Sequence, residues 1–317
     1  MSISATIEKQ HGLRAKLVDL ENRRVLVARI ENSIEADDEY ARVNCAGYGR
    51  IRRYSTFKLH FDQTITSKQP LGWARSKDGT YETQVFQLAG CDFRCWYCFV
   101  DDALLRADKN RANWFSAEEL LNLALEEFVT PAVIDLSGGQ PELVPEFTFW
   151  MMEAVEKKGL RGKLAIWSDD NLSSDFFWTF LNADQRKYVA NFPGYTRTVC
   201  IKGFDAAGFT ANTGAPEFLF ERQLQLLQRL VDEGFRLEIY LTMLDIPRPS
   251  DQAAAVIDSL LVRLASIHPS LPSRVVPLKI HPFGNMLGRA TGRRLSTLGV
   301  QVERFKLWRS RLAQPVA

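Results

Sequence analysis

The chain has 317 residues, of which 46% are hydrophobic and 25% charged, and a formal net charge of +2. Such proportions fit a globular α/β protein with one large domain and an appendage, and they give no global attraction to nucleic acid or to an anionic membrane. No apolar run reaches the roughly 18 residues of a spanning helix, no basic-then-apolar leader opens the chain, and five cysteines are too few for a disulfide scaffold. The expectation is a cytoplasmic enzyme with reduced thiols and no membrane partner.

Residues 1–81 lack a regular rhythm: 13–30 alternates weakly, as β structure would, and 47–58 is rich in Tyr and Arg. They read as an N-terminal extension packed on a main domain, 82–284. Within that domain, short β-rich runs at 82–89, 132–137, 164–168, 198–204, 235–243 and 274–283 alternate with helical stretches. The runs are nearly all apolar at their centres, as expected of parallel strands covered on both faces.

Ser116 and Glu119 form a capping box that opens a helix through Phe128, with Leu120, Leu121, Ala124, Leu125 and Phe128 on its apolar side. Helices follow at 144–158, ending at Gly159, then at 175–181, 217–233 and 250–266. Crossovers of this length between strands predict a parallel sheet, either flat or curled into a partial barrel. Residues 285–317 are a C-terminal extension.

Immediately after the first of these strands the sequence reads C-D-F-R-C-W-Y-C, from Cys91 to Cys98. A loop there lies where α/β folds place their active sites. Structural zinc wants four ligands, commonly as two separated C-x2-C halves. Here Cys95 and Cys98 form one half, while Cys45 and Cys200 stand alone. Three thiolates on one loop suit an iron–sulfur cluster with one iron left open to a small molecule.

The pattern at Cys91, Cys95 and Cys98, with Tyr97 as the aromatic, resembles the C-x3-C-x-(aromatic)-C signature of the radical S-adenosylmethionine (SAM) superfamily. The second strand runs into S-G-G-Q-P, and Ser137, Gly138, Gly139 and Gln140 resemble the family's Gly-Gly-Glu-Pro turn, which meets the SAM amino group largely through its backbone. Gln140 departs from the usual Glu, and a backbone role implies that restoring Glu is tolerated. At the third strand's end Ser168 and Asp169 offer polar groups. At the fourth, C-I-K-G-F-D resembles the D-x-K-x-x-D segment of glycyl-radical-enzyme activases, with Lys202 kept and Cys200 replacing the first aspartate. His281 matches a histidine that those activases use near SAM, and reads equally as a surface residue. Tyr240 and Thr242 are pocket candidates by position.

The resemblance implies a partial (β/α)6 TIM-like barrel. It also implies a 4Fe–4S cluster that cleaves SAM reductively to a 5′-deoxyadenosyl radical, which takes hydrogen from a protein, peptide or small-molecule substrate. A flavodoxin- or ferredoxin-type reductant would be its electron donor. Nearest in pattern are the activase-like members, and the absence of cysteines after Cys200 argues against an auxiliary cluster. Two alternatives stay open: a nucleic-acid-modifying enzyme using Arg50, Arg52, Arg53, Tyr54, Arg289, Arg293 and Arg294, and a non-catalytic iron–sulfur or zinc-binding protein.

Overall fold

The computed structural model describes residues 2–37, 41–55, 80–127, 131–282 and 284–313. Within the expected Tyr/Arg-rich stretch, residues 56–58 lie outside these, as do Phe128 and Phe283. The chain opens with a helix, α1 (Ile3–Arg14), capped by the Ser2 side chain. β1 (Val18–Asp19) and β2 (Arg24–Ala28) form a hairpin, and β3 (Ala41–Asn44) and β4 (Gly49–Ser55) form another, which pairs with β5 (Thr80–Phe86). β6 (Ala112–Ser116) joins β2 and runs into α2 (Ala117–Glu126), whose Ser116–Glu119 capping box is formed in both directions.

From there strand and helix alternate: β7 (Val133–Leu136), α3 (Pro145–Lys157), β8 (Ala165–Asp170), α4 (Phe176–Phe180) and α5 (Ala183–Ala190). They are followed by β9 (Tyr195–Ile201), α6 (Ala206–Thr213), α7 (Phe218–Asp232), β10 (Leu237–Thr242), α8 (Ser250–Ile267) and α9 (Leu271–Arg274). β11 (Val276–Leu278), α10 (Asn285–Arg289) and α11 (Arg293–Leu312) complete the described chain. No helix among the described residues is long and apolar enough to cross a membrane.

The larger sheet has eight strands in the order β11-β10-β9-β8-β7-β5-β4-β3. From β5 to β11 all pairings are parallel, and β4 and β3 continue the sheet antiparallel beyond β5. Part of the N-terminal extension is thus built into the main sheet rather than packed on it.

Register separates the two faces of this sheet. One face carries Ile134, Leu136, Ile166, Val199, Ile201, Leu237, Ile239 and Leu241, all buried in a core shared with Leu121, Met151, Val155 and Leu227 of the helices. Burying each such side chain contributes on the order of 1.5–3 kcal/mol, so this face holds the fold together. The other face presents Asp135, Trp167, Asp169, Thr196, Thr198, Cys200, Glu238, Tyr240 and Thr242. The strands are covered on both faces, as expected, but the second face is lined largely by polar side chains. Segments such as T-V-C-I-K and E-I-Y-L-T alternate with period two, and only one side is apolar.

Candidate active site at the C-terminal ends of the parallel strands

The loop leaving β5 carries Cys91 and Cys95, both buried, and Cys98, half-buried; none of the three is in a disulfide. Backbone bonds fix its shape. Cys91 N–H donates to the Leu105 carbonyl at 3.3 Å, and Cys98 N–H to the Cys95 carbonyl at 3.0 Å. Arg94 and Trp96 N–H donate to the carbonyls of Thr213 and Asn212, at the end of α6. The Asn212 amide in turn donates to the carbonyls of Lys202 and Leu244, at 2.8 and 3.0 Å, tying the ends of β9 and β10 to the same loop. Phe93 packs on Phe209 with ring centroids 5.4 Å apart, and the Tyr97 hydroxyl lies 3.2 Å from Thr242 Oγ1.

The three thiols influence one another. Burial, then Asp92, then the thiols of Cys95 and Cys98 push Cys91 well above the ordinary thiol value. Burial pushes Cys95 up to about 12, opposed by the Lys202 ammonium. Burial also raises Cys98, against Val100 N–H, Lys202 and Arg289. Lys202 is held well above its usual value: burial opposes its ammonium, and Cys200, Tyr97, Cys95 and Cys91 raise it. Among the described residues no set of three or more Cys, His, Asp or Glu side chains converges tightly enough to hold a single metal ion. Zinc would need its sulfurs about 2.3 Å from one point.

Gly138 and Gly139 follow β7 with φ of +89° and +70°. A Cβ on Gly139 would sit 2.2 Å from the Leu88 carbonyl oxygen and 2.7 Å from that of Gly90. The glycine is thus required by the approach of the turn to the cysteine loop itself, which Gln140 N–H also joins, donating to the Gly90 carbonyl at 2.7 Å. Gln140 is 1% exposed. Its amide nitrogen donates to Asp170 Oδ1 at 3.1 Å and its amide oxygen accepts from Asn171 N–H at 2.9 Å. The side chain is engaged in an internal network behind the turn.

Ser137 donates to Asp169 at 2.5 Å on the polar face. Ser168, one residue along the strand, faces the opposite way: its hydroxyl lies 2.7 Å from the Tyr195 hydroxyl, beside the buried Arg197–Glu142 and Arg197–Asp170 ion pairs. Burial pushes Glu142 up to about 7 despite Arg197. Strand alternation thus separates Ser168 from Asp169, which adjacency in sequence groups together. His281 is exposed and lies three residues past the end of β11 at Leu278. The structure therefore brings together Cys91, Cys95, Cys98, Tyr97, Lys202, Ser137, Asp169 and the Gly138–Gly139 turn, and sets Ser168 on the opposite face.

Several supports are not legible in the sequence. Asn171 Nδ2 donates to Cys91 Sγ at 3.4 Å. Arg289, from α10, donates to the Cys98 and Val100 carbonyls and pairs with Asp102 at 3.1 Å. Glu35 binds Arg50 at 2.6 Å and accepts from Asp101 N–H at 3.0 Å, joining the N-terminal extension to the loop's exit. Gln10 of α1 donates to Asp92 at 2.7 Å. Their only signal is polar side chains spaced at positions that hydrophobic patterning ignores.

No family model matches the chain, and no curated relative does. Among solved structures it is similar over 55% of its length to Streptococcus suis SuiB bound to S-adenosylmethionine, at 17% identity and a TM-score of 0.38. It is similar over 60% of its length to anSMEcpe with bound AdoMet, at 14% identity and a TM-score of 0.34. The chain spans about a third of SuiB, the match covering 36% of that protein, and 62% of anSMEcpe.

Proposed function

We propose that this chain is a radical SAM enzyme whose main domain is a partial (β/α)6 barrel and whose cluster site is Cys91, Cys95 and Cys98. The observation that carries the reading is three undisulfided thiols on one loop, beside the Lys202 ammonium and a glycine turn, at the C-terminal ends of parallel strands. When bound, a 4Fe–4S cluster and SAM would supply a 5′-deoxyadenosyl radical able to take hydrogen from an unreactive C–H bond, with a flavodoxin- or ferredoxin-type protein as reductant. Lys202 would meet a carboxylate, and the Gly138–Gly139 backbone an ammonium. Buried Phe93, Trp96 and Tyr97 keep water from the loop, and Asn171 and Arg289 hold its cysteines in place.

The activase-like subtype draws on Lys202 with Cys200 in the aspartate's place, and a protein, peptide or small molecule as substrate. The nucleic-acid alternative loses two of its basic side chains to internal duties: Arg50 is fully buried on Glu35, and Arg289 grips the cysteine loop. The test is anaerobic reconstitution with iron and sulfide, then assay of 5′-deoxyadenosine from SAM and dithionite. Cys91→Ala, Cys95→Ala and Cys98→Ala each abolish the cluster's visible absorption and the cleavage, whereas Cys200→Ala keeps the cluster. A loaded wild-type protein that leaves SAM intact would reduce this chain to a non-catalytic binder.

A further inference from the structure

β8 ends at Asp170, and the turn that follows is built with unusual investment. Leu172, fully buried, is held at φ +53°, a left-handed conformation that a leucine adopts only at a cost. Asp170 Oδ1 accepts from Leu172 N–H at 2.7 Å and from the Gln140 amide at 3.1 Å. Between them sits Asn171, with both of its backbone groups pinned by buried side chains from other parts of the fold. Its N–H donates to Gln140 Oε1, from the glycine turn, at 2.9 Å, and its carbonyl accepts from Gln223 Nε2, from α7, at 2.6 Å.

The Asn171 side chain leaves this fixed backbone toward the cysteine loop, where Nδ2 lies 3.4 Å from Cys91 Sγ. A sulfur that ligates iron is a thiolate and can only accept, so the amide end suited to face it is the nitrogen. An N–H donor stabilises negative charge on the sulfur that accepts from it, and reduction of a cluster adds such charge.

We infer that Asn171 is a positioning residue acting through Cys91: its N–H···S bond raises the reduction potential at the cluster site and brings it within reach of the reductant. The inference rests on the radical SAM reading for the 4Fe–4S cluster, which three free thiols on one loop fit by the chemistry of the donor set. The test compares wild type with Asn171→Leu, similar in shape but without the donor. Both are reconstituted anaerobically with iron and sulfide and titrated potentiometrically, with no SAM present. Losing the bond disfavours the reduced state about tenfold, a fall of about 59 mV in midpoint potential for one electron. A brace that only shaped the loop would leave the potential where it was.

Pulsed electron paramagnetic resonance of the reduced protein, labelled with ¹⁵N-asparagine, shows an amide nitrogen weakly coupled to the cluster, and the leucine variant lacks it. This second measurement decides the matter on wild type alone if the variant takes up no iron. An unmoved potential, or a wild-type spectrum without the coupled nitrogen, overturns the assignment. Weaker SAM binding by Asn171→Leu at an unmoved potential would assign the amide to SAM and overturn it too. A wild-type protein that takes up no cluster would sink the radical SAM reading and this inference together, whereas a loaded protein with an unmoved potential sinks this inference alone.

Discussion

Gln140→Glu is the sharpest perturbation that this structure offers, because it restores the residue usual in the resembling family. Taken from sequence, the exchange is tolerated. In the structure the Gln140 amide nitrogen faces Asp170 Oδ1 at 3.1 Å in a position 1% exposed, and Asp170 already accepts from Leu172 N–H at 2.7 Å. Glu142 and Asp92 also act on or are acted on by Asp170. An ionised carboxylate in place of the amide would set two carboxylate oxygens about 3 Å apart, a repulsion of about 5 kcal/mol at an effective dielectric of about 20. The variant escapes by keeping a proton, which lets it donate to Asp170 as the amide does.

Holding that proton at pH 7 against an ordinary glutamate value near 4.3 costs about 3.7 kcal/mol, which caps the penalty; at pH 5 it costs about 1 kcal/mol. The sign follows from linkage. A carboxyl whose folded value is raised sheds its proton first in the unfolded chain, so the deficit is absent below about pH 4 and grows as pH rises. Urea unfolding of wild type and variant at pH 5 and pH 7 measures it: the stability difference widens by about 2–3 kcal/mol between the two. A penalty that is equal at both pH values, or absent at pH 7, would show that the side chain does not sit against Asp170.

Two further outcomes follow from the same loop. Gly139→Ala combines a positive φ with contact against two backbone carbonyls that cannot swing aside. About 1–3 kcal/mol of conformational strain and a similar amount of overpacking are expected, read as a drop in thermal unfolding midpoint; a change within about 0.5 kcal/mol would contradict the geometry. Arg289→Ala removes the bonds to the Cys98 and Val100 carbonyls and the pair with Asp102. The reconstituted variant should lose iron to a chelator several-fold faster while its overall stability falls by about 1–3 kcal/mol, and an unchanged rate of iron loss would mean that α10 does not hold the loop.

What the sequence disclosed depended on which physical force shaped each element. α2 was readable to its first residue because Ser116 and Glu119 satisfy each other's backbone locally and Leu120, Leu121 and Ala124 keep a helical period. α1 was not, and the reason is its buried face, which is Thr6, Gln10 and Arg14. Gln10 and Arg14 hold it by bonds to Asp92, Ser173, Leu143 and Glu146, partners more than 80 residues away that no local pattern encodes. α11 repeats the case, burying Thr297, Gln301, Arg304 and Trp308, with Arg304 paired to Asp245 at 2.8 Å. Cys91, Cys95 and Cys98 stood out because their spacing is local; Asn171 and Arg289, which brace them, are set there only by the closed fold.

The strands make the same point with more consequence. Reading them as uniformly apolar treats the Val, Ile and Leu as the message and the intervening residues as noise. A parallel sheet sandwiched by helices would tolerate no such noise, since an unpaired buried polar group costs several kcal/mol. Here Asp135, Asp169, Thr198, Cys200, Glu238 and Thr242 all fall on one side, and the cysteine loop and Lys202 lie at the upper end of that side. The polar positions that weaken the apolar pattern therefore share one surface with the cysteine loop and Lys202, and the internal pairing of Ser168 on the other face shows how one step in register decides which role a polar residue takes.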